Sequence, residues 1–200
     1  DSQNMKVSTS WQVQGGAWNA KERAIRFQAP GSAVVQPGWV SFRAVDMKCR
    51  TKPDNPDMMA ALDSLGIMIL RAREADSYIE MPFKVASEIT GEAFVDFLNY
   101  TDRGVVQNYL DGKPLGEKYD NYAEGVTEGR APLGKVTLAP GEHVLRVKVL
   151  DAHPGNDRMF VGLKGLSLKT SQAVDAGTGS YFELRPSDVQ DSIGGGTCVM

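Results

Sequence analysis

The sequence predicts an all-β protein, an antiparallel β-sandwich or jelly roll with one short helix. Apolar and polar residues alternate in short runs, which recur at intervals of roughly 8–15 residues and end at turn-forming residues. One pair of runs is separated by Asp111-Gly112, a strong signal for a tight β-hairpin. The helices that would alternate with strands in a doubly wound fold are missing from the pattern.

The first part of the chain contains several alternating runs. Ile25 and Phe27 share one face and Arg26 and Gln28 the other, which is the pattern of a half-buried strand. A turn at Pro37-Gly38 separates a short apolar run from the next predicted strand. The runs in this part lie at residues 11–14, 17–20, 23–28, 33–35 and 39–45.

A short helix is predicted at about residues 57–65. Asn55 is a favourable N-cap, Pro56 a favourable first helical residue, and Gly66 a typical terminator. Apolar residues between them are spaced to form one helical face. These residues are Met58, Ala61, Leu62 and Leu65.

The central part of the chain predicts consecutive strands. In residues 78–85, the odd-numbered residues Ile79, Met81 and Phe83 share one face, and Tyr78, Glu80 and Pro82 share the other. Residues 67–70 are apolar throughout and predict a strand buried on both faces. Further strands are predicted at residues 92–100, 105–110 and 113–119.

The last part of the chain predicts two loops, three core strands and an extension. Residues 120–132 and 151–158 are polar and predict loops, and the strands lie at residues 133–138, 143–150 and 160–168. After residue 170 the composition becomes small and polar, with one more candidate edge strand at residues 181–184. We therefore predict a sandwich domain at residues 1–170 and a C-terminal extension or tail at residues 171–200.

Charge and hydropathy exclude two classes of partner. The net charge of the 200 residues is −3, so no basic surplus exists to neutralise the phosphates of a nucleic acid. No apolar run approaches the roughly 18 residues of a membrane span, and we predict no membrane insertion. The longest such run is at residues 65–70.

The chain start and the cysteines bear on the cellular compartment. The sequence begins with Asp1 rather than Met, from which we expect a processed chain whose secretory leader has been removed. Cys49 and Cys198 are too few and too far apart for a metal knuckle. They could pair as a disulfide in an exported protein or remain two free thiols, so they do not determine the compartment.

Five motifs follow one another between residues 78 and 168. They are Tyr78-x-Glu80-x-Pro82-Phe83, Gly91-x-Ala93-x-Val95-x-Phe97, Val106-x-x-Tyr109-x-Asp111-Gly112-Lys113, Leu133-Gly134-x-Val136-x-Leu138-x-x-Gly141-x-His143-x-Leu145 and Gly162-Leu163-x-x-Leu166-x-Leu168. In this order they resemble the galactose-binding-like jelly roll, and more narrowly the sandwich modules attached to bacterial carbohydrate-active enzymes. The resemblance covers about residues 65–170, and residues 11–45 supply earlier strands.

The resemblance implies properties that the residues alone do not. Such modules are usually secreted, often bind sugars and often hold a structural calcium ion, so it implies a secreted, cell-surface or periplasmic location. The paired N-terminal glutamates that bind calcium in the related families are not recognisable here, where only Glu22 lies in the early strands. Calcium therefore stays an open alternative to no cofactor, and its ligands are unassigned.

The aromatic residues provide the main functional candidate. Sugars stack their C–H faces on aromatic rings, and their hydroxyls need fixed polar partners. Residues 119–122 place two aromatic rings, a carboxylate and an amide in one predicted loop. The alternative is that the tyrosines bury their rings at strand ends. The predicted carbohydrate-binding residues are Trp18, Tyr100, Tyr109, Tyr119, Asp120, Asn121 and Tyr122.

Two sets of polar residues could gather oxygen atoms for calcium or for sugar hydroxyls. The first set is Asp96, Asn99, Asp102 and Asp111. The second is the loop that contains Asp151, Asn156 and Asp157. Neither set has EF-hand spacing, and ordinary roles in turns and on the solvent face are the alternative.

Candidates for catalysis are few, and no catalytic residue is assigned. Glu80 could act as a glycosidase acid with Asp96 as its partner, and a cross-strand ion pair or a surface position is the alternative for Glu80. His143 and His153 belong to no set with metal-ligand spacing. No Gly-x-Ser-x-Gly motif is present.

Three functional hypotheses follow. The leading one is a non-catalytic carbohydrate-binding sandwich, part of a secreted or surface polysaccharide-utilisation system, with a parent enzyme as a partner. The second is a structural or assembly module, whose exposed aromatics and residues 171–200 contact a partner protein or another copy. The third is a small glycoside hydrolase or lyase that uses Glu80, Asp96 or His143.

Overall fold

The structure, a computed structural model, describes residues 16–19, 24–27, 34–36, 38–171 and 182–184. These residues form short and long strands joined by turns and by 3-10 helices at Ala44–Asp46, Pro56–Met58 and Asp63–Leu65. The strands are β1 (Gly16–Asn19), β2 (Ala24–Phe27), β3 (Val34–Gln36), β4 (Trp39–Arg43), β5 (Arg50–Lys52), β6 (Met59–Leu62), β7 (Ile67–Leu70), β8 (Tyr78–Val85), β9 (Ile89–Asn99), β10 (Gly104–Leu110), β11 (Lys113–Asp120), β12 (Thr127–Leu138), β13 (Gly141–Ala152), β14 (Val161–Lys169) and β15 (Phe182–Leu184).

The strands pair in three antiparallel sheets. A five-stranded sheet has the order β11-β10-β13-β8-β5. A seven-stranded sheet has the order β12-β9-β14-β4-β3, with β7 added to β14 and β6 added to β7. The short strands β1, β2 and β15 form a sheet of their own in the order β1-β2-β15. The predicted antiparallel β-sandwich is confirmed.

The core lies between the five-stranded and the seven-stranded sheets. Each strand contributes its inward-facing residues, and the ring centroids of Phe42 in β4 and Phe83 in β8 lie 4.5 Å apart across the two sheets. Large side chains with almost no exposed surface fill the space between them. Examples are Phe97, Leu163 and Leu166 from the seven-stranded sheet and Ile79, Met81 and Leu145 from the five-stranded sheet.

Most predicted strands are present, and their ends differ from the prediction by a few residues. β8 has the predicted bounds, and the predicted hairpin at Asp111-Gly112 joins β10 to β11. The candidate edge strand near residues 181–184 is β15, which pairs with β2. Most of residues 171–200 and the run at residues 11–14 lie outside the described residues, so the division at residue 170 stays a prediction.

The helix predicted at residues 57–65 is wrong. The segment forms a 3-10 turn at Pro56–Met58, the strand β6 and a second 3-10 turn at Asp63–Leu65. β6 pairs with the buried strand β7, which places Met59 opposite Leu70. A helix this short is marginal by itself, whereas pairing gives the backbone of β7 hydrogen-bond partners on its free edge. Tertiary pairing therefore outweighs the local helical spacing.

The loop predicted at residues 120–132 is too long. β12 begins at Thr127, and only residues 121–126 connect it to β11. In its first half, Glu128 and Arg130 are exposed and Gly129 and Ala131 are buried. The buried members are so small that the alternation is not visible as apolar periodicity, and this is why the prediction missed the strand.

Glu80 lies on the outer face of the five-stranded sheet between two arginines. It pairs with Arg146 of β13 on one side and Arg50 of β5 on the other. Oε1 accepts hydrogen bonds from Nε and Nη2 of Arg146 at 2.8 and 2.6 Å, and Oε2 accepts one from Nε of Arg50 at 2.6 Å. The predicted alternative of a cross-strand ion pair is confirmed.

We expect Glu80→Gln to destabilise the protein by about 1–2 kcal/mol at pH 7, because both arginines lose a charged partner and are themselves partly exposed. Burial would raise the pKa of Glu80, but the hydrogen bonds and charges of Arg146 and Arg50 outweigh burial and lower the pKa. The stabilisation is therefore complete above the unfolded-state pKa of about 4.3 and is lost as the pH falls through the lower folded-state pKa.

Urea unfolding of the wild type and of Glu80→Gln at pH 7 and pH 3 measures this effect. The difference between the two proteins should shrink at pH 3. Glu142→Gln, an exposed glutamate in β13, is the matched control and should change stability little at either pH. An equal destabilisation by Glu80→Gln at both pH values would show that the ion pairs are not its cause.

Cys49 is half-buried, and its thiol donates a hydrogen bond to the carbonyl of Ala44 at 3.4 Å. Burial raises the pKa of Cys49 to about 12, so the thiol stays protonated. Cys198 lies outside the described residues, and its pairing with Cys49 is untested. Among the described residues no helix has the length and apolar character that crossing a membrane requires.

Candidate functional site

Three loops meet at one end of the sandwich. They are the turn after β9, the loop between β11 and β12, and the loop between β13 and β14. Backbone bridges join them, since Tyr100 pairs with Tyr122 and Arg103 pairs with Phe160. We call the surface that these loops form the loop-end surface. It unites the two predicted loops, at residues 120–132 and 151–158.

A buried arginine fixes the first of these loops. Arg103 donates a hydrogen bond from Nε to the carbonyl of Leu98 at 3.2 Å and forms an ion pair with Asp102. Burial lowers the pKa of Arg103, and the neighbouring Asp102 counteracts part of this effect. Because a buried guanidinium needs such partners, the turn after β9 is held in one conformation.

The centre of the loop-end surface is a stacked pair of rings, Tyr122 and His153. Their centroids lie 3.8 Å apart and their planes differ by 7°. Asp120 holds both residues, because Oδ1 accepts a hydrogen bond from the backbone N–H of Tyr122 at 3.0 Å and Oδ2 lies 2.7 Å from Nδ1 of His153. This arrangement fixes the rings without using all the acceptor capacity of the carboxylate.

Tyr100 lies beside this pair. Its backbone N–H donates to the carbonyl of Asn121, and its own carbonyl accepts from Ala123, each at 3.3 Å. Tyr100 is 40% exposed and Val126, in the same loop as Tyr122, is 61% exposed. Aromatic and apolar groups are thus accessible around the Tyr122–His153 stack.

The other predicted site residues lie elsewhere. Tyr119 faces inward, where its ring stacks on Phe97 with centroids 5.3 Å apart and its hydroxyl accepts a hydrogen bond from Asn99. Asn121 is fully buried and donates to the carbonyl of Gly104 at 3.2 Å. These two side chains therefore pack beneath the loops, in the interior, and are not part of the loop-end surface.

Tyr109 is not part of the loop-end surface. Tyr109 lies in β10 near the Asp111-Gly112 turn, opposite Arg146, whereas Asn121 contacts Gly104 at the other end of that strand. Trp18 belongs to β1, and its side chain lies outside what the structure describes. The structure thus brings together Tyr100, Asp120 and Tyr122 of the predicted residues.

The aspartates of the first predicted oxygen cluster are dispersed. Asp96 pairs with Arg130, Asp102 pairs with Arg103, and Asp111 accepts from the N–H of Val144 and lies 2.7 Å from His143. Within the described residues, no three His, Cys, Asp or Glu side chains could jointly hold a metal ion. Glu22 lies outside the described residues, so the calcium ion that the resemblance implies stays a prediction.

The proposed catalytic pair Glu80 and Asp96 is wrong. Glu80 lies in the five-stranded sheet and Asp96 in the seven-stranded sheet, each on the outward face and each held by arginine. A glycosidase needs its two carboxyl groups on either side of one glycosidic bond. These two carboxyl groups lie on opposite sides of the sandwich.

His143, the third candidate of the hydrolase hypothesis, has a structural role. Its Nδ1 lies 2.7 Å from Asp111 and its Nε2 lies 2.8 Å from the carbonyl of Ala139. Burial lowers the pKa of His143, but the Ala139 carbonyl and Asp111 outweigh burial and raise it above its usual value. The ring ties the β10–β11 hairpin to β13.

The sequence prediction assigned no role to His153, which the structure places at the centre of the loop-end surface. A signal for it was present, because residues 151–158 form the second predicted loop and His153 is the only aromatic residue in it. Stacking on Tyr122 joins residues from two separate loops, and a pattern along the chain does not show such a contact.

No protein-family model matches the sequence, and no curated protein matches it. Solved structures with similar strand arrangements include a Paenibacillus xanthan lyase, with a TM-score of 0.47 and 19% identity over 64% of this chain. A Podospora anserina GH26-CBM35 β-(1,4)-mannanase has a TM-score of 0.46 and 14% identity over 70% of this chain.

A third similar structure is a family 35 carbohydrate-binding module from Clostridium thermocellum, with a TM-score of 0.43 and 14% identity. It matches 66% of this chain and 98% of its own length, whereas the match spans 12% of the lyase and 29% of the mannanase. Carbohydrate-binding modules are thus among the structures with a similar strand arrangement. The function of this chain has to be inferred from its own residues.

Proposed function

We propose that this protein is a non-catalytic carbohydrate-binding module whose binding site is the loop-end surface. The observation that carries the proposal is the Tyr122–His153 stack, in which two rings lie nearly parallel at 3.8 Å and are both held by Asp120. A fixed ring loses little conformational entropy when a sugar stacks on it, so rigidity favours binding.

The groups around the stack match the chemistry of a sugar. The C–H face of a pyranose stacks on an aromatic ring, and Tyr100 offers a second ring that is 40% exposed. Sugar hydroxyls need a fixed acceptor or donor, and the side chain of Asp120 is 42% exposed with acceptor capacity left. The surface combines these features on three loops that the sandwich positions.

The proposal also concerns the enzyme to which this module would be attached. A binding module without catalytic groups contributes by keeping an attached enzyme near its polymer, which raises the local substrate concentration. We therefore place this chain beside a parent enzyme in a secreted or surface polysaccharide-degrading system. The motif series, which resembles modules of such enzymes, supports this placement.

We expect Tyr122→Ala to weaken carbohydrate binding roughly 10- to 30-fold, because the central ring of the site is removed while the strands remain. Retardation in affinity gels that contain xylan, mannan, β-glucan or galactan identifies the ligand. Isothermal titration with the matching oligosaccharide then gives the dissociation constants.

Tyr109→Ala is the matched control, because it removes a half-buried tyrosine at the opposite end of β10. It should leave the affinity unchanged. Tyr119→Ala is less suitable, since Tyr119 packs in the core against Phe97. If no polysaccharide retards the wild type, or if Tyr109→Ala and Tyr122→Ala weaken binding equally, the loop-end surface is not the site.

A further inference from the structure

A groove of about 400 Å³ crosses the outer face of the seven-stranded sheet. Its volume lies in the range of about 300–1,000 Å³ that is typical of small-molecule sites. The groove shares no lining residue with the loop-end surface. Its lining includes Arg43, Leu65, Asp96, Glu128, Arg130 and Lys164.

The groove arises from the register of four strands. Arg130 of β12, Asp96 of β9, Gly165 of β14 and Arg43 of β4 lie side by side in one row across the sheet. Gly165 has no side chain, so the row is open between Asp96 and Arg43. A register shift between Leu163 and Gly165 accompanies this gap, and Lys164 at the shift also lines the groove.

The charged groups of the groove are already paired. Nε of Arg130 lies 2.6 Å from Oδ1 of Asp96, and Nζ of Lys164 lies 2.8 and 2.6 Å from the two oxygens of Glu128. Arg43 is 3.6 Å from Asp46. The walls therefore present N–H donors and carboxylate acceptors side by side, with little uncompensated charge.

Aromatic rings hold one of these groups in place. The guanidinium of Arg130 lies 4.8 Å from the ring centroid of Trp39 and 5.4 Å from that of Phe94. The two rings are 5.8 Å apart. The two rings thus hold the guanidinium of Arg130 in place where it lines the groove, so its hydrogen-bonding groups are preorganised.

An unpartnered hydroxyl lies next to the groove. Ser167 pairs in register with Ser41, which lines the groove, and the Ser167 side chain is buried. Its Oγ has no hydrogen-bond partner among the described residues. A buried hydroxyl without a partner is costly, but Ser167 does not itself line the groove, so a ligand there would contact Ser41 rather than this hydroxyl.

From these observations we infer that the groove is a second carbohydrate site and that its ligand is a neutral oligosaccharide. Each sugar hydroxyl both donates and accepts, which suits alternating donors and acceptors. A uronate would instead need an unpaired cation, and Arg43, Arg130 and Lys164 all face carboxylates. The inference rests on the proposed function, and two sites on one module would increase its avidity for a polymer.

Site-resolved titration of the ¹⁵N-labelled full chain tests the groove separately from the loop-end surface. The probes are cellotriose, xylotriose and mannotriose, with trigalacturonate as the anionic arm. Amide signals of Gly66 and Gly165 report on the groove, and those of Gly104 and Gly155 report on the loop-end surface. We expect a neutral trisaccharide to shift both sets.

The double variant Glu128→Gln with Lys164→Met should weaken binding at the groove roughly tenfold and leave the loop-end shifts unchanged, since a charged hydrogen-bonding pair is lost. Both residues are solvent-accessible, and Lys164→Met alone is the milder second variant. The control is Glu92→Gln with Lys135→Met, a cross-strand pair of the same charges in β9 and β12 that does not line the groove.

Each result bears on one proposal or on both. If the groove amides do not shift with any trisaccharide while the loop-end amides do, the second site is overturned and the proposed function stands. If only the groove amides shift, the loop-end site is overturned instead. Shifts at the groove with trigalacturonate alone overturn the neutral ligand, an unchanged groove affinity in the double variant overturns the groove, and no shift anywhere overturns both proposals.

Discussion

Replacing Phe97 with alanine should destabilise the protein by about 3–5 kcal/mol, the usual cost of removing a buried phenylalanine. Phe97 has no exposed surface and lies in β9, between β12 and β14 of the seven-stranded sheet. Its ring stacks on Tyr119 of the five-stranded sheet, at 5.3 Å and 12°. The substitution leaves a cavity where the two sheets meet, and the surrounding strands are too well paired to close it.

Urea unfolding monitored by circular dichroism and fluorescence measures this effect. Phe94→Ala is the matched control, because Phe94 is on the same strand, faces outward and is only partly buried. It should cost less than half as much. A double-mutant cycle with Tyr119→Ala should give a coupling of about 0.5–1.5 kcal/mol for the stacked rings. If Phe94→Ala destabilised the protein more than Phe97→Ala, Phe97 would not be the residue of β9 that faces the core.

The strands that the sequence predicts well are those whose two faces differ strongly in polarity. In β8, Ile79 and Met81 have no exposed surface, and the alternation around them is visible in the sequence. Period-two burial is a local consequence of strand geometry, so no knowledge of the partner strands is needed to detect it. The β10–β11 hairpin was predictable for another local reason, because Asp111 and Gly112 both tolerate the positive φ that such a turn requires.

Prediction fails where a tertiary partner decides the structure. Asn55 does cap a turn, since its Oδ1 accepts a hydrogen bond from the N–H of Asp57 at 3.0 Å, but the turn is the single 3-10 turn at Pro56–Met58. The following residues pair with β7 because β7 is a buried strand with a free edge. Helix propensity in a short segment is too weak to oppose such pairing.

For the loop-end site, too, the sequence predicted the local composition but not which side chains face the surface. The sequence indicated that aromatic and polar residues concentrate at residues 119–122, and the structure places Asp120 and Tyr122 on one surface. Tyr119 faces the core because adjacent residues of a strand point to opposite sides and β11 extends to Asp120. Where a strand ends, and therefore which side chain faces out, depends on register and could not be predicted from composition.

The groove could not be predicted from the sequence. It depends on one row across four strands that are distant in sequence, in which Gly165 lies beside Asp96 and Arg43. One partial signal exists, since Trp39 alternates with the buried Val40 and Phe42 and therefore faces outward. A single outward-facing aromatic residue is common on protein surfaces, however, so this pattern alone does not identify a site.

We expect the second large loss of stability at Gly165, where substitution by alanine would add a single methyl group. Its φ is +151°, and a Cβ atom there would lie 2.0 Å from the carbonyl oxygen of Phe42 in β4. We expect Gly165→Ala to cost about 3–5 kcal/mol, because backbone strain of about 1–3 kcal/mol adds to the displacement of a paired central strand at a similar cost. Chemical unfolding of the purified variant measures the loss.

Two other glycines separate these causes. Gly134 has a φ of +84° with nothing within 4 Å of an added Cβ, so Gly134→Ala tests strain alone. At Gly91 the added Cβ would lie 2.5 Å from the carbonyl oxygen of Lys169, without a positive φ, so Gly91→Ala tests close approach alone. Each should cost less than Gly165→Ala. The close approach of β14 to β4 at Gly165 places Asp96 and Arg43 in one row of the groove. If Gly165→Ala proves no more destabilising than either control, the two strands do not approach as closely as the groove requires.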